Sequence, residues 1–176
     1  MKRLLVLALL MGMADGVRAD ATVGTSDGRV QPVDLDGDGV PDSIRLSGHT
    51  LWINDVIVLS NIPDSEEYRR ASFEVTDLDP TDGRQEVIVV APGLEDDGLV
   101  WVIGYRDHQA KVLLHVLAEP IAERYVRRKG VLTIEEYVWP NKHEHGCRRI
   151  RSGYRLMGGE MKRVRHTISK PTECAG

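Results

Sequence analysis

The nine residues DLDGDGVPD, Asp34 to Asp42, decide how this chain is read. Asp34, Asp36 and Asp38 recur at every second position, Gly39 follows, and Asp42 closes the stretch. Carboxylates packed this closely repel one another unless something neutralises them. A hard cation does so, because Ca²⁺ takes roughly six to eight oxygens at about 2.3–2.6 Å from a loop wrapped around it. Asp34, Asp36 and Asp38 would ligate from the first, third and fifth positions of such a loop. Val40 would give its backbone carbonyl from the seventh, and Asp42 would bind from the ninth, directly or through water. Gly39, in sixth place, allows the backbone turn that aims these groups inward.

The same positions match the start of an EF-hand loop. That motif needs a bidentate Glu at its twelfth position and a helix leaving the loop. Arg45 stands there instead, and Pro41 followed by the alternation of Ile44 and Leu46 predicts a departing strand. A polar turn without metal is the other reading, since Asp and Gly favour turns for local backbone reasons.

The pattern, DxDxDGxxD before a short apolar strand, resembles the calcium loop of FG-GAP/VCBS-type repeats, the blade repeats of integrin-like β-propellers. Asp34, Asp36, Asp38, Gly39 and Asp42 fit it position for position. A second stretch, DLDPTDGRQEVIVV from Asp77 to Val90, is similar. Asp77 and Asp79 match, Pro80 and Thr81 add one residue before Asp82 and Gly83, and Glu86 replaces the last Asp. The added residue displaces every later ligand, so Asp77, Asp79, Asp82 and Glu86 are the weaker candidate for a second metal site. Asp34 and Asp77 lie 43 residues apart, the spacing of one four-stranded blade. The resemblance spans about residues 29 to 117 and implies an all-β fold with a structural Ca²⁺. It speaks to fold and metal more than to function.

Hydrophobic patterning agrees with an all-β chain, since apolar residues alternate or run in short stretches bounded by Gly, Asn, Asp and Pro. The expected architecture is two to three four-stranded antiparallel blade-like units, at about 29–60, 72–117 and 130–169, forming a partial β-propeller or a sandwich-like stack. Tight turns are expected at Asn54-Asp55, at Asp107 to Gln109 and at Gly158-Gly159. A helical turn is expected within Ser60–Arg70 and another within Ala122–Lys129. Trp52, Trp101 and Trp139 fall in predicted strands and read as core residues. Three blades are fewer than an ordinary propeller holds, so open edges and self-association are expected.

At the N-terminus, Lys2 and Arg3 precede an apolar run from Leu4 to Met13. This is the layout of a secretory signal peptide, residues 1–19, with cleavage after Ala19 or Ala21. Residues 20–176 would then form one exported β-repeat domain, periplasmic or secreted, with no transmembrane segment. In an oxidising compartment Cys147 and Cys174 are expected to form a disulfide.

Charge divides the mature chain. Residues 20–120 hold 20 acidic against 7 basic side chains, and residues 121–176 hold 6 against 13. The basic third, with RRIR at Arg148–Arg151 and KRVRH at Lys162–His166, suggests an anion-binding face. Strand alternation would point Arg149 and Arg151 the same way, and Arg163 and Arg165 likewise. An envelope protein or an anionic glycan is the expected partner, and nucleic acid is not, given export and net negative charge. His143, Glu144, His145 and Cys147 could ligate a transition metal, against a loop stapled by its disulfide. No GxSxG or HExxH is present, and no catalytic residues are assigned. The chain therefore reads as a small calcium-binding interaction module of a bacterial envelope. The alternative is an envelope hydrolase or stress factor that uses the basic face or the His143/His145 loop.

Overall fold

The computed structural model describes residues 22–25, 27–63, 70–92, 98–118, 126–128, 130–138 and 148–170. Among the described residues there is no helix. The first strands are β1 (Thr22–Thr25), β2 (Asp27–Val33), β3 (Asp42–Ser47), β4 (Thr50–Ile53) and β5 (Val56–Leu59). Next come β6 (Ser72–Thr76), β7 (Glu86–Pro92), β8 (Gly98–Arg106) and β9 (Gln109–Ala118). The chain ends in β10 (Val126–Arg128), β11 (Val131–Val138), β12 (Arg148–Met157) and β13 (Glu160–Ile168). The expected signal peptide, the loop with His143 and His145, Cys147, Cys174 and Trp139 lie outside the described residues. So does most of the turn expected within Ser60–Arg70.

The protein is all-β, with three antiparallel sheets ordered β2-β3-β4-β5, β1-β6-β7-β8-β9 and β10-β11-β12-β13. Each is a meander of sequence neighbours, except that β1 leaves the first sheet and pairs with β6 as a fifth strand of the second. Among the hairpins that close on two-residue turns, three share one backbone conformation, at Asn54-Asp55, Asp107-His108 and Gly158-Gly159. Both residues of each turn have positive φ, between 49° and 78°. That conformation matches the right-handed twist of the strands it joins, and Asn, Asp and Gly tolerate it best.

The sheets pack face to face, with the five-stranded sheet in the middle. Ile44, Leu46, Leu51 and Ile53 of the first sheet meet Phe73, Val87, Val89, Trp101 and Ile103 of the second. On the opposite face, Ile88, Val100 and Val102 meet Leu132, Ile134 and Leu156 of the third. Consecutive residues of β7 and β8 thus enter different cores, because successive side chains of a strand point to opposite faces.

Three expectations require correction. Val126–Arg128, placed in a helical turn by the sequence reading, is strand β10, antiparallel to β11, and Gly130 just before β11 has a φ of 68°. Trp52 is outside the core: Leu51 and Ile53 on either side of it take the inner face. The Arg45 guanidinium lies 4.1 Å from the centroid of its ring on the outer face. Finally, Arg163 and Arg165 do not share a row. A bulge at Gly153/Tyr154 sets Arg165 opposite Gly153 and Arg163 opposite Tyr154, and these two partners face opposite ways.

The two-sided core sets a test. Ile88→Ala should cost about 2–5 kcal/mol, read as a lower urea midpoint with an unchanged slope. Val30→Ala, at an exposed position, should shift stability by no more than about 0.5 kcal/mol.

Candidate metal centre

The Asp34–Asp42 loop joins β2 to β3, and its one apolar anchor, Leu35, is fully buried. The loop is organised by its own carboxylates. Asp34 Oδ1 accepts the Gly37 N–H at 2.8 Å and Asp34 Oδ2 the Gly39 N–H at 2.9 Å. Asp38 Oδ1 accepts the Val40 N–H at 2.7 Å. Gly39 has a φ of 85°, in the left-handed region where a Cβ is strained. Gly37 is required for space as well, because a Cβ there would stand 2.6 Å from the Gly83 carbonyl oxygen.

Asp42 closes the loop from the first residue of β3 and is 5% exposed. Its Oδ2 accepts the Leu35 N–H at 2.9 Å, and its Oδ1 accepts from Asn54 Nδ2 at 2.6 Å. Asn54 Nδ2 also donates to the Tyr105 hydroxyl at 2.9 Å, while Asn54 Oδ1 accepts the Ser43 N–H. One amide therefore ties the loop, the β4–β5 hairpin and β8 together. Burial, with the nearby charges of Asp42, Asp36 and Asp38, raises the Tyr105 hydroxyl above its ordinary pKa, against the Asn54 hydrogen bond.

Asp34, Asp36 and Asp42 converge, each offering an oxygen within 4.8 Å of the others. Two oxygens at opposite ends of one Ca²⁺ stand about that far apart, given bonds of roughly 2.4 Å. The donor set is all carboxylate, the chemistry a hard cation selects. Hydrogen bonds to one side of a carboxylate oxygen leave a lone pair for an ion. Asp38 is not part of this cluster, and Val40 is 63% exposed at the loop's surface. His108 stands beside the carboxylates, with Nδ1 4.0 Å from Asp36 Oδ2.

The second loop, from Asp77 to Glu86, does not gather its carboxylates into such a group. Asp79 Oδ1 accepts from the Thr81 hydroxyl and amide, and Asp82 accepts the Arg84 N–H. Glu86 turns inward, and its Oε2 accepts the Leu78 N–H at 2.8 Å. This is the bond that Asp42 makes to Leu35. The second loop is one residue longer, and the additional methylene of Glu86 carries its carboxyl group to the equivalent amide. The loops also touch, through the Gln85 N–H donated to the Leu35 carbonyl at 2.9 Å.

No family model, curated protein or solved structure matches this chain. The site must therefore be read from its own atoms. Sequence reasoning named the three convergent carboxylates but missed Asn54, which it took only as a turn residue, and Tyr105 and His108, which it left unassigned. For Asn54 the available signal was chemical: an Asn at a hairpin tip has a free amide to donate to a nearby acid.

Burial is the main cause that raises the Glu86 carboxyl pKa to about 7, with Asp82, Asp77 and Asp79 adding to it and the Leu78 hydrogen bond opposing it. The folded state thus holds this proton more tightly than the unfolded chain does. Its stabilising contribution is complete below the unfolded pKa of 4.5 and is lost as pH rises through about 7. Glu86→Gln keeps an acceptor for Leu78 and cannot ionise. In metal-free buffer, the stability of the wild type relative to this variant should fall by on the order of 3 kcal/mol between about pH 4 and pH 8, measured from urea midpoints.

Proposed function

We propose that this chain is an exported, calcium-stapled β-repeat module of FG-GAP/VCBS type, which binds partners in the bacterial envelope or outside the cell. The observation that carries this reading is the convergence of Asp34, Asp36 and Asp42 at the seam between two sheets. Asp34, Asp36 and Asp42 would hold the ion, with Asp38 and the Val40 carbonyl as candidates to complete its shell. Its contribution is electrostatic: two positive charges offset three carboxylates that otherwise repel, one of them buried. The loop then secures β2 to β3 and, through Asn54, the first sheet to the second.

Support for a repeat comes from the two loops. Leu35 and Leu78, 43 residues apart, are both buried, and each donates its amide to the carboxylate that ends its loop. Trp52 and Trp101 also occupy matching places, each between two residues that face the following sheet. Export is supported by the Lys2-Arg3 start and the apolar run after it, and the Cys147–Cys174 disulfide belongs to the same reading. Among the described residues, no helix is long and apolar enough to cross a membrane.

Thermal unfolding of the protein, first in excess EDTA and then in Ca²⁺, tests the proposal. At ~100 times its dissociation constant, calcium that binds only the folded state adds about 2.7 kcal/mol. Asp36→Asn should abolish that gain, and Asp79→Asn should leave it intact. Equal stability in EDTA and Ca²⁺ would reduce the acidic loop to a metal-free turn.

A further inference from the structure

The sheets part unequally at their outer edges. β9 contacts β11 and β13, and Leu114, Val116 and Met161 close the seam between the middle and last sheets. Between β5 and β9 the first and middle sheets diverge instead, leaving a cleft of about 320 Å³. Ile53, Val56 and Val58 line one wall and Ala110 and Val112 the other, while Tyr105 and His108 stand at the hairpin end. That end is acidic. Asp36 lies 4.0 Å from His108, Asp55 is exposed at the β4–β5 tip, and Asp107 at the neighbouring tip is paired with Arg106.

β5 is the last strand of its sheet, and among the described residues no strand pairs with its far side. Its sequence, VIVL, carries neither charge nor proline, and Val56 and Ile57 are 64% and 61% exposed. Proteins protect such an edge with charges, Pro or bulges, because its open backbone groups recruit another strand. Two other edges are protected in that way: β2 carries Arg29 and Pro32, and β13 carries Lys162, Arg163 and Arg165. β5 has one of these devices, a bulge that leaves Val58 unpaired and packed on the core, but Val56 and Ile57 lie before it, regularly paired and exposed beside the cleft.

Resting on the binding-module reading, we infer that the β5 edge and its cleft accept an extended peptide segment of a partner protein. The segment adds antiparallel to β5, as every strand pair in this fold does, sets an apolar side chain into the cleft, and ends in Lys or Arg. Antiparallel to β5, it runs from Leu59 toward Val56. Its C-terminal end therefore arrives beside the exposed Asp55, where a cation is complementary. A second copy of the chain fits less well, because β5 is followed by Ser60 and Asn61, which bring no positive charge to that end.

The test is a titration of the ¹⁵N-labelled protein with acetyl-Val-Thr-Val-Thr-Val-Lys-amide, followed by NMR in Ca²⁺ and again in EDTA. The amides of Val56, Ile57 and Leu59 should shift saturably, with a dissociation constant of roughly 0.1–1 mM. N-methylation of alternate peptide residues should abolish the shifts. Exchanging the terminal Lys for Glu, or Ile57→Lys in the protein, should weaken binding about tenfold or more, with the rest of the spectrum unchanged for Ile57→Lys. Loss of the calcium effect on stability with peptide shifts retained would overturn the metal and leave this inference standing. Unmoved β5 resonances at ~5 mM peptide, or equal shifts with the N-methylated peptide, would overturn it. A doubled molecular mass in free protein, with β5 already perturbed, would assign the edge to a second copy instead.

Discussion

The constraint on which this structure depends is a sheet that is apolar on both faces. In β7, Val87 and Val89 face the first sheet while Ile88 and Val90 face the third. In β8, Trp101 and Ile103 go one way, and Val100 and Val102 go the other. Such a sheet cannot lie at a surface, since each exposed Val or Ile forgoes roughly 1.5–3 kcal/mol of burial. It needs two covers, and the chain supplies one before it and one after it. β1, paired with β6 while touching β2 and β3, joins the first cover to the middle.

The covers also explain why the stack stops. Counted from the loop-ending carboxylates, Ser43, Arg45 and Ser47 of β3 correspond to Val87, Val89 and Ala91 of β7. The face that the middle sheet buries against its predecessor is therefore polar in the first sheet, which has no predecessor. Trp52 keeps the place of Trp101, but Arg45 lies over its ring where a neighbouring sheet would otherwise pack. At the other end, the outward row of the last sheet includes Arg151, held by Glu135 at 2.7 Å, with Arg155 and Lys162 exposed. A polar face at each end makes three sheets sufficient, without closure into a ring.

Much of this was legible in the sequence, for reasons that differ between elements. The alternation in DSIRLS and the turn residues Asn54-Asp55 and Gly158-Gly159 are local signals, and strands form where they point. The apolar runs EVIVVAP and GLVWVIGYR also carried the two-sided burial, by failing to alternate. β1 and β10 were not legible, because TVGT and VRR hold one apolar side chain each, against the apolar TLWI and VIVL of the equally short β4 and β5, and are fixed by their partners. The bulge that separates Arg163 from Arg165 is likewise a property of a pairing. In the site, like charges at a short period exposed the three acids. Asn54 reaches Asp42 across 12 residues by the pairing of the first sheet, and Tyr105 reaches Asn54 across 51, a proximity that the packing of the two sheets creates.

The two loops finally show one mechanical problem met with two chemistries. Each must turn a buried leucine inward and return to a strand, and each does so by presenting a carboxyl group to that leucine's amide. A buried carboxylate is costly unless its charge is removed or balanced. Glu86 has the negatively charged Asp77, Asp79 and Asp82 nearby, and a proton is the available remedy at neutral pH. Asp42 has two hydrogen-bond donors and two convergent carboxylates, so a proton on one acid would leave the rest of the cluster charged. On the proposed reading a divalent ion balances that cluster. Because the Leu35 carbonyl and Gln85 amide join the loops, proton and ion act on the same seam between the first two sheets.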